Sequence, residues 1–308
     1  MIFELTVLGS GSALPTSSKF TTAQVLNVQG RFFLIDCGEG TQIQLRKAKI
    51  PFSRINNIFI SHLHGDHVFG LFGLLSSYAL LGRKNPLHLY GHSDLDKIIS
   101  FYLEQFSPDN PFPIEIHPIV KRDLQLIFED KIVCVYAFPL KHRVPTFGYL
   151  FKEKKRPLNI KKSAIEKYGP NIKQIKEIKD GADLITETGE KIPNDQLTEN
   201  PFVPRSYAFC SDTAVYERII EWIEHVDLVY HEATFMHKDK SLAKLTGHST
   251  ALQAADIASR AKAGKLLIGH FSQRYKNEQE LLAEAREIMT ETEIAEELKT
   301  FTISLTRR

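Results

Sequence analysis

The sequence predicts an α/β protein, a four-layer αββα sandwich with a protruding basic arm. Three observations carry this expectation. Strand-like and helix-like stretches alternate in the N-terminal half, the same rhythm returns in the C-terminal portion, and the stretch 151–204 breaks it. A plain doubly wound α/β domain is the alternative arrangement.

In the N-terminal half, residues 3–8, 22–28 and 31–35 read as strands, the last two joined by a turn at Gln29-Gly30. Residues 39–47 read as a helix and 57–60 as a short buried strand. After a polar loop, 68–81 reads as a helix, 87–90 as a strand and 94–106 as a helix. Residues 114–117, 124–128 and 131–140 add strands with few helices between them. Further on, 206–210, 226–230 and 265–268 read as strands, and 215–223, 249–261 and 278–289 as helices. Strands on both sides of a central point, each backed by helices, give the sandwich.

From 151 to 204 apolar periodicity weakens, and Lys, Glu, Pro and Gly dominate. The expected organisation is one domain over 1–308 with a flexible inserted arm at 151–204. Residues 152–179 hold ten Lys or Arg against three acids, a local charge of +7.

The chain has 308 residues, 43% apolar and 25% charged, enough for a sizeable core. This profile excludes a disordered, collagenous or coiled-coil protein. The formal charge of +2, taken alone, argues against a nucleic-acid partner. Its distribution argues the other way, because everything outside the basic stretch then carries about −5. Cys37, Cys134 and Cys210 show no CxxC spacing, and a reducing cytoplasm is expected. No signal peptide is expected from Met1-Ile2-Phe3-Glu4-Leu5, which has an acid and no basic region. The most apolar stretch, 68–81, is short of a membrane span.

The sharpest chemical signal is Ser61-His62-Leu63-His64-Gly65-Asp66-His67, three histidines and an aspartate just after an apolar strand. Neutral imidazole and carboxylate suit zinc and other borderline divalent metals. His142, Asp212 and His270 each follow a strand end and supply what a dinuclear site of five histidines and two aspartates requires. Without cysteine, the donors suit zinc, manganese or iron. Gly9-Ser10-Gly11 is no nucleotide fingerprint, lacking a third glycine and a following helix.

The His-x-His-x-Asp-His loop, with later His, Asp and His at strand ends, resembles the metallo-β-lactamase superfamily. More narrowly the chain resembles the ribonuclease Z family, over nearly its whole length. The resemblance includes Leu8-Gly9-Ser10-Gly11-Ser12-Ala13-Leu14-Pro15-Thr16, Ile35-Asp36-Cys37-Gly38-Glu39-Gly40-Thr41-Gln42, His231-Glu232-Ala233-Thr234 and His248-Ser249-Thr250. It implies an endoribonuclease that cuts precursor tRNA after the discriminator nucleotide and leaves a 3′-hydroxyl. It implies two divalent ions per subunit, expected to be zinc. His62, His64 and His142 would hold one, Asp66, His67 and His270 the other, and Asp212 would bridge them. Asp66 would accept the proton of the attacking water, and Glu232 with His248 would protonate the leaving oxygen.

The family also implies a homodimer, and an arm that grips tRNA through a Gly-Pro. Here that points to Gly169-Pro170, with Lys173 and Lys176 following, although the family's longer Pro-Gly-Pro tract is missing. Asp36 is read as a buttress of the ligand loop, and 82–86 as lining for the RNA 3′ end. His88, His92, His117, His225, His231 and His237 are read as structural. Other hydrolases of the superfamily (a general phosphodiesterase, thioesterase or lactonase) are the alternative. A non-catalytic RNA-binding protein would be expected to lack ligands, and all seven are present.

Overall fold

The computed structural model describes residues 1–120, 123–199 and 201–306. Residue 200 of the predicted arm lies outside them. Two compact units emerge, one of 1–152 with 206–303, the other of 153–205 with 304–308.

The larger unit is built on two seven-stranded sheets. The chain first lays down β1 (Phe3–Gly9), β2 (Ala23–Val28), β3 (Arg31–Ile35), β4 (Ile55–Phe59), β5 (Leu87–Gly91) and β6 (Ile114–Pro118). The second sheet takes β7 (Gln125–Glu129), β8 (Val133–Pro139) and β9 (Phe147–Glu153). After the short arm strands β10 (Asn159–Ile160), β11 (Leu184–Ile185), β12 (Lys191–Ile192) and β13 (Thr198–Glu199), it is completed by β14 (Ser206–Cys210), β15 (Leu228–Glu232), β16 (Lys265–Gly269) and β17 (Thr292–Ile294). Finally β18 (Thr300–Thr302) returns to the first sheet beside β1.

The sheets run in the orders β18-β1-β2-β3-β4-β5-β6 and β17-β16-β15-β14-β9-β8-β7. Within each, four consecutive strands are parallel, β3 to β6 and β14 to β17. Strand alternation divides the apolar residues between two faces. Phe3, Leu5, Val7, Phe59, Phe151, Tyr207 and Tyr230 fill the space between the sheets. Leu8, Leu34, Ile58 and Leu89 face outward, onto Leu71, Leu74 and Leu75 of helix Gly70–Leu80 and Ile99 of helix Leu95–Phe106. On the other outer face Val229, Leu266 and Ile268 meet the alanine-rich side of helix Ala251–Arg260 and Leu281 of helix Glu278–Arg286. The predicted αββα sandwich is the observed one. Among the described residues, no helix is long and apolar enough to cross a membrane.

Several elements differ from expectation. Strand β9 runs past the predicted start of the arm, and its Phe151 and Lys152 pair with Tyr207 and Ser206. The smaller unit also has its own apolar cluster, Ala164, Ile178, Leu184, Ile192 and Leu197. It is closed at its base by the buried pair of Glu153 and Arg205, whose Nη2 donates to Glu153 Oε1 at 2.9 Å. The predicted helix 215–223 shrinks to Ile219–Trp222, because the backbone N–H groups of Ile219 and Ile220 bond only three residues back, to Tyr216 and Glu217.

One close approach fixes the ligand loop onto the turn after β3. Gly70 N donates to Cys37 O at 2.9 Å, and Cys37 N to His67 O at 2.8 Å. A Cβ on Gly70 would lie 1.9 Å from Gly38 O. Gly70→Ala is therefore expected to cost about 1–3 kcal/mol in urea unfolding and to weaken divalent-metal uptake. Unchanged stability and uptake would mean that the contact is slack.

Candidate metal centre

The site is assembled at the carboxyl ends of the parallel strands, where an α/β sheet leaves a crevice. His62 and His64 follow β4, with Asp66 and His67 in the single turn Gly65–Val68. Asp36 follows β3, His142 lies between β8 and β9, and Asp212 follows β14. Glu232 ends β15, and His270 follows β16.

All seven predicted donors converge. His62 Nε2 lies 3.0 Å from His64 Nδ1, which lies 3.4 Å from His142 Nε2. His270 Nε2 lies 3.4 Å from both His67 Nε2 and Asp66 Oδ2. Asp212 faces both groups. Its Oδ2 is 3.7 Å from His62 Nε2 and 4.0 Å from His142 Nε2, and its Oδ1 is 3.2 Å from His270 Nε2 and 3.5 Å from His67 Nε2. Donors about 2.0–2.1 Å from a tetrahedral zinc stand about 3.3 Å apart, so the spacing fits divalent metal. His62, His64, His142 and Asp212 form one such set, and Asp66, His67 and His270 another.

The outer nitrogens explain why the rings point inward. His67 Nδ1 is 2.7 Å from Asp36 Oδ2, and His62 Nδ1 is 3.0 Å from Ser61 Oγ. Asp36 also accepts from Ser61 N at 2.7 Å and from Ser61 Oγ at 2.8 Å. His142 Nδ1 donates to Gly247 O at 2.8 Å, and His270 Nδ1 lies 2.9 Å from Thr234 Oγ1. Each bond sets a tautomer and presents the other nitrogen to the metal. Asp36, His270 and Ala13 all hold left-handed backbone, with φ of 56°, 59° and 62°. Such conformations cost roughly 1–3 kcal/mol each and are retained here by hydrogen bonding, as where Ala13 N donates to Asp66 Oδ2 at 2.7 Å.

Burial pushes the Asp212 carboxyl up, but the imidazoles of His270, His67 and His62 outweigh it and hold Asp212 well below the usual carboxylate range. Burial likewise lowers His67, and the charges of Asp212, Asp36 and Asp66 reverse that and raise it well above an ordinary imidazole. A field that favours positive charge on His67 also favours a cation. No Lys or Arg is among the described residues lining the surrounding cleft of about 520 Å³.

Beside the cluster, His248 Nδ1 lies 2.8 Å from Glu232 Oε1. Glu232 is fully buried and also accepts from the backbone N–H groups of Thr213 at 2.8 Å and Ser249 at 3.1 Å. Burial acts to lower the His248 pKa, but the Glu232 charge and hydrogen bond prevail and raise it to about 9.

A family model described as Anti-Pycsar protein Apyc1 matches residues 3–104. The metallo-β-lactamase fold protein YhfI of Bacillus subtilis aligns with a TM-score of 0.69 at 18% identity, covering 98% of this chain and 100% of that one. Human tRNase Z, short form, aligns with a TM-score of 0.73 at 29% identity, covering 98% of this chain and 99% of that one. Ribonuclease Z of Bacteroides thetaiotaomicron is 45% identical over 302 residues, 98% of this chain and 96% of that protein. The chain belongs to the ribonuclease Z family. Its fold is the metallo-β-lactamase fold, and its histidine and aspartate clusters are those of a metal-binding member.

Within this ribonuclease Z fold, the predicted arm residues fall in the smaller unit. Gly169, with φ 55°, ends helix Lys162–Tyr168, and Pro170 leads to Asn171, which caps helix Ile172–Lys179. Lys173 and Lys176 lie exposed on that second helix. Residues 82–86 stand apart from the metal ligands. Gly82 to Asn85 line a separate cavity of about 800 Å³ that no proposed metal ligand lines. There Arg83 is held by the carbonyls of Ile55, Asn85 and Pro86, at 2.6–3.0 Å.

Sequence reasoning missed the positioning roles of Ser61, Gly247 and Thr234. Thr234 was in view only as part of His231-Glu232-Ala233-Thr234, yet its hydroxyl joins the two halves of the site. It donates to Glu232 Oε2 at 2.5 Å and meets His270 Nδ1. Thr234→Val is expected to weaken divalent-metal binding about 10–100-fold with the fold retained, as read by competition with a chromophoric chelator. Wild-type affinity would show that Thr234 only packs.

Proposed function

We propose that this chain is the endoribonuclease that matures the 3′ end of precursor tRNA, hydrolysing the phosphodiester after the discriminator nucleotide and leaving a tRNA 3′-hydroxyl. The observation that carries the reading is the pairing of two histidine-rich donor sets across Asp212 with a Glu232–His248 dyad beside them. It occurs in a chain 45% identical to a ribonuclease Z.

Two zinc ions per subunit are the expected complement. His62, His64 and His142 would hold one, Asp66, His67 and His270 the other, and Asp212 would be shared. Bound there, the cations would acidify water and offset the charge of the scissile phosphate and leaving oxygen.

The remaining work falls to the chain. Asp66, its Oδ2 oriented by Ala13 N, accepts the proton of the attacking water. Glu232 is held ionised by five groups donating to it, and it anchors His248 through Nδ1. That leaves Nε2 to give its proton to the departing 3′-oxygen. Asp66→Ala and His248→Ala are each expected to cut turnover of a labelled precursor tRNA about 10²–10⁴-fold, with RNA affinity near wild type. Normal turnover in either variant would remove that residue from the mechanism.

The arm supplies affinity in this reading. Gly169-Pro170 and the exposed Lys173 and Lys176 would contact the tRNA backbone. The working form would be a cytoplasmic homodimer, each arm serving its partner's cleft. Helices Thr41–Lys47 and Gly70–Leu80 lie side by side, Ser77 Oγ donating to Gln42 Oε1 at 3.1 Å, and leave Ile43, Phe69 and Leu80 exposed for such an interface. A chain with 155–203 replaced by a short Gly-Ser linker should lose precursor-tRNA processing yet still hydrolyse bis(p-nitrophenyl) phosphate. Mixed with Asp66→Ala chains, it should regain processing, because each mixed pair joins an intact arm to an intact cleft. Full processing by the arm-deleted chain would sink the arm assignment, and mixed dimers without rescue would sink the exchange between subunits.

A further inference from the structure

We propose that the chain carries a further divalent-metal site, formed by His88, Glu115 and His117 and separate from the catalytic cleft. Strands β5 and β6 run parallel, with His88 opposite Glu115 and Tyr90 opposite His117. Alternate residues share a face, so all three side chains stand on one surface. It is the face turned toward the other sheet, because Tyr90 belongs to the core between them.

The geometry is that of converging donors. His88 Nδ1 lies 3.1 Å from His117 Nε2 and 3.2 Å from Glu115 Oε2. One atom of each residue lies within 4.8 Å of the others. A single imidazole nitrogen carries at most one proton. Protonated, His88 Nδ1 serves one of its two neighbours well, and unprotonated it faces carboxylate lone pairs. One divalent cation satisfies all three donors at once. The His117 ring is held against Tyr90, with centroids 4.5 Å apart and planes 14° apart.

Two imidazoles and a carboxylate, with the site half-exposed and positions left for water, suit zinc, nickel or copper(II) rather than calcium or magnesium. His88 and Glu115 are the second residues of their strands, whereas the catalytic donors follow strand carboxyl ends. His117 is the fourth residue of β6, and none of the three lines the cleft at the proposed ligands. Strand β6 is the terminal strand of that sheet. Metal at this place would clip β6 to β5 and close an edge that otherwise depends on one ladder of hydrogen bonds.

The test titrates the full chain, stripped by chelator dialysis, with Zn²⁺ alone, comparing wild type, His88→Ala/His117→Ala and Glu115→Gln. Wild type is expected to bind one more equivalent than the double variant, and Glu115→Gln to hold that equivalent about tenfold or more weakly. Cleavage activity should stay unchanged in both. Equal stoichiometry in wild type and the folded double variant overturns the proposal. Should circular dichroism show the double variant misfolded, wild-type zinc affinity in Glu115→Gln overturns it instead. Because stoichiometries are compared between variants, the result holds whatever number of ions the catalytic cleft takes.

Discussion

Asp212 is a carboxylate at 2% exposure, and its only ion-pair partners among the described residues are histidines. Burying an ionised carboxylate costs several kcal/mol unless positive charge meets it. The rest of the larger unit answers that constraint. Five imidazoles lie within 4.0 Å of its two oxygens, and the four predicted ligands among them are oriented by outer partners in different loops. Ser61 and Asp36 belong to the first sheet, and Thr234 follows β15 of the second. The metal centre can form only if the two sheets pack in one register.

The core between the sheets enforces that register. Tyr149 of β9 donates its hydroxyl to Ile60 O at 2.6 Å, and Phe147 N donates to Ser61 O at 3.0 Å. The segment just before the ligand loop is thereby tied across the interface to the opposite sheet. Tyr149 and Phe151 are wedged against Phe59, with ring centroids 5.4 Å and 5.3 Å away. A shift of one residue would turn these aromatics outward and carry His62 away from Asp212. Packing and chemistry are coupled at the level of single side chains.

That coupling explains what was legible in the sequence. The ligand loop, Asp212 and His270 could be read because their residue types are rare and follow apolar runs that already looked like strands. Strand β9 was not read. Its apolar Phe147-Gly148-Tyr149-Leu150-Phe151 runs straight into Lys152-Glu153-Lys154-Lys155, and the charged composition masked the boundary. β17 and β18 are three residues long, with one strongly apolar residue each, too short to show a period. Gly247 offered a backbone carbonyl to His142, and a carbonyl leaves no mark in a sequence beyond its residue. The αL glycine ending helix Lys240–Thr246 was the available signal for its place.

Charge is placed differently in the cleft and in the smaller unit. The cleft at the histidine and aspartate clusters is lined by Asp66, Asp212 and histidines, with no Lys or Arg among its described lining residues. The lysines of the smaller unit stand on helices stabilised by their own apolar cluster and by the Asn171–Gln174 capping box. A lysine in the cleft would compete with a metal for its carboxylates, whereas in the smaller unit lysines and carboxylates are interleaved, Lys162 with Glu166 at 3.6 Å and Lys173 with Glu177 at 3.9 Å. Residues 153–205 hold eleven Lys or Arg against nine Asp or Glu, and 180–205 alone hold two against six, so the net positive charge is confined to the stretch 152–179. The net charge of +2 conceals that placement, because 152–179 carries +7 and the rest of the chain about −5.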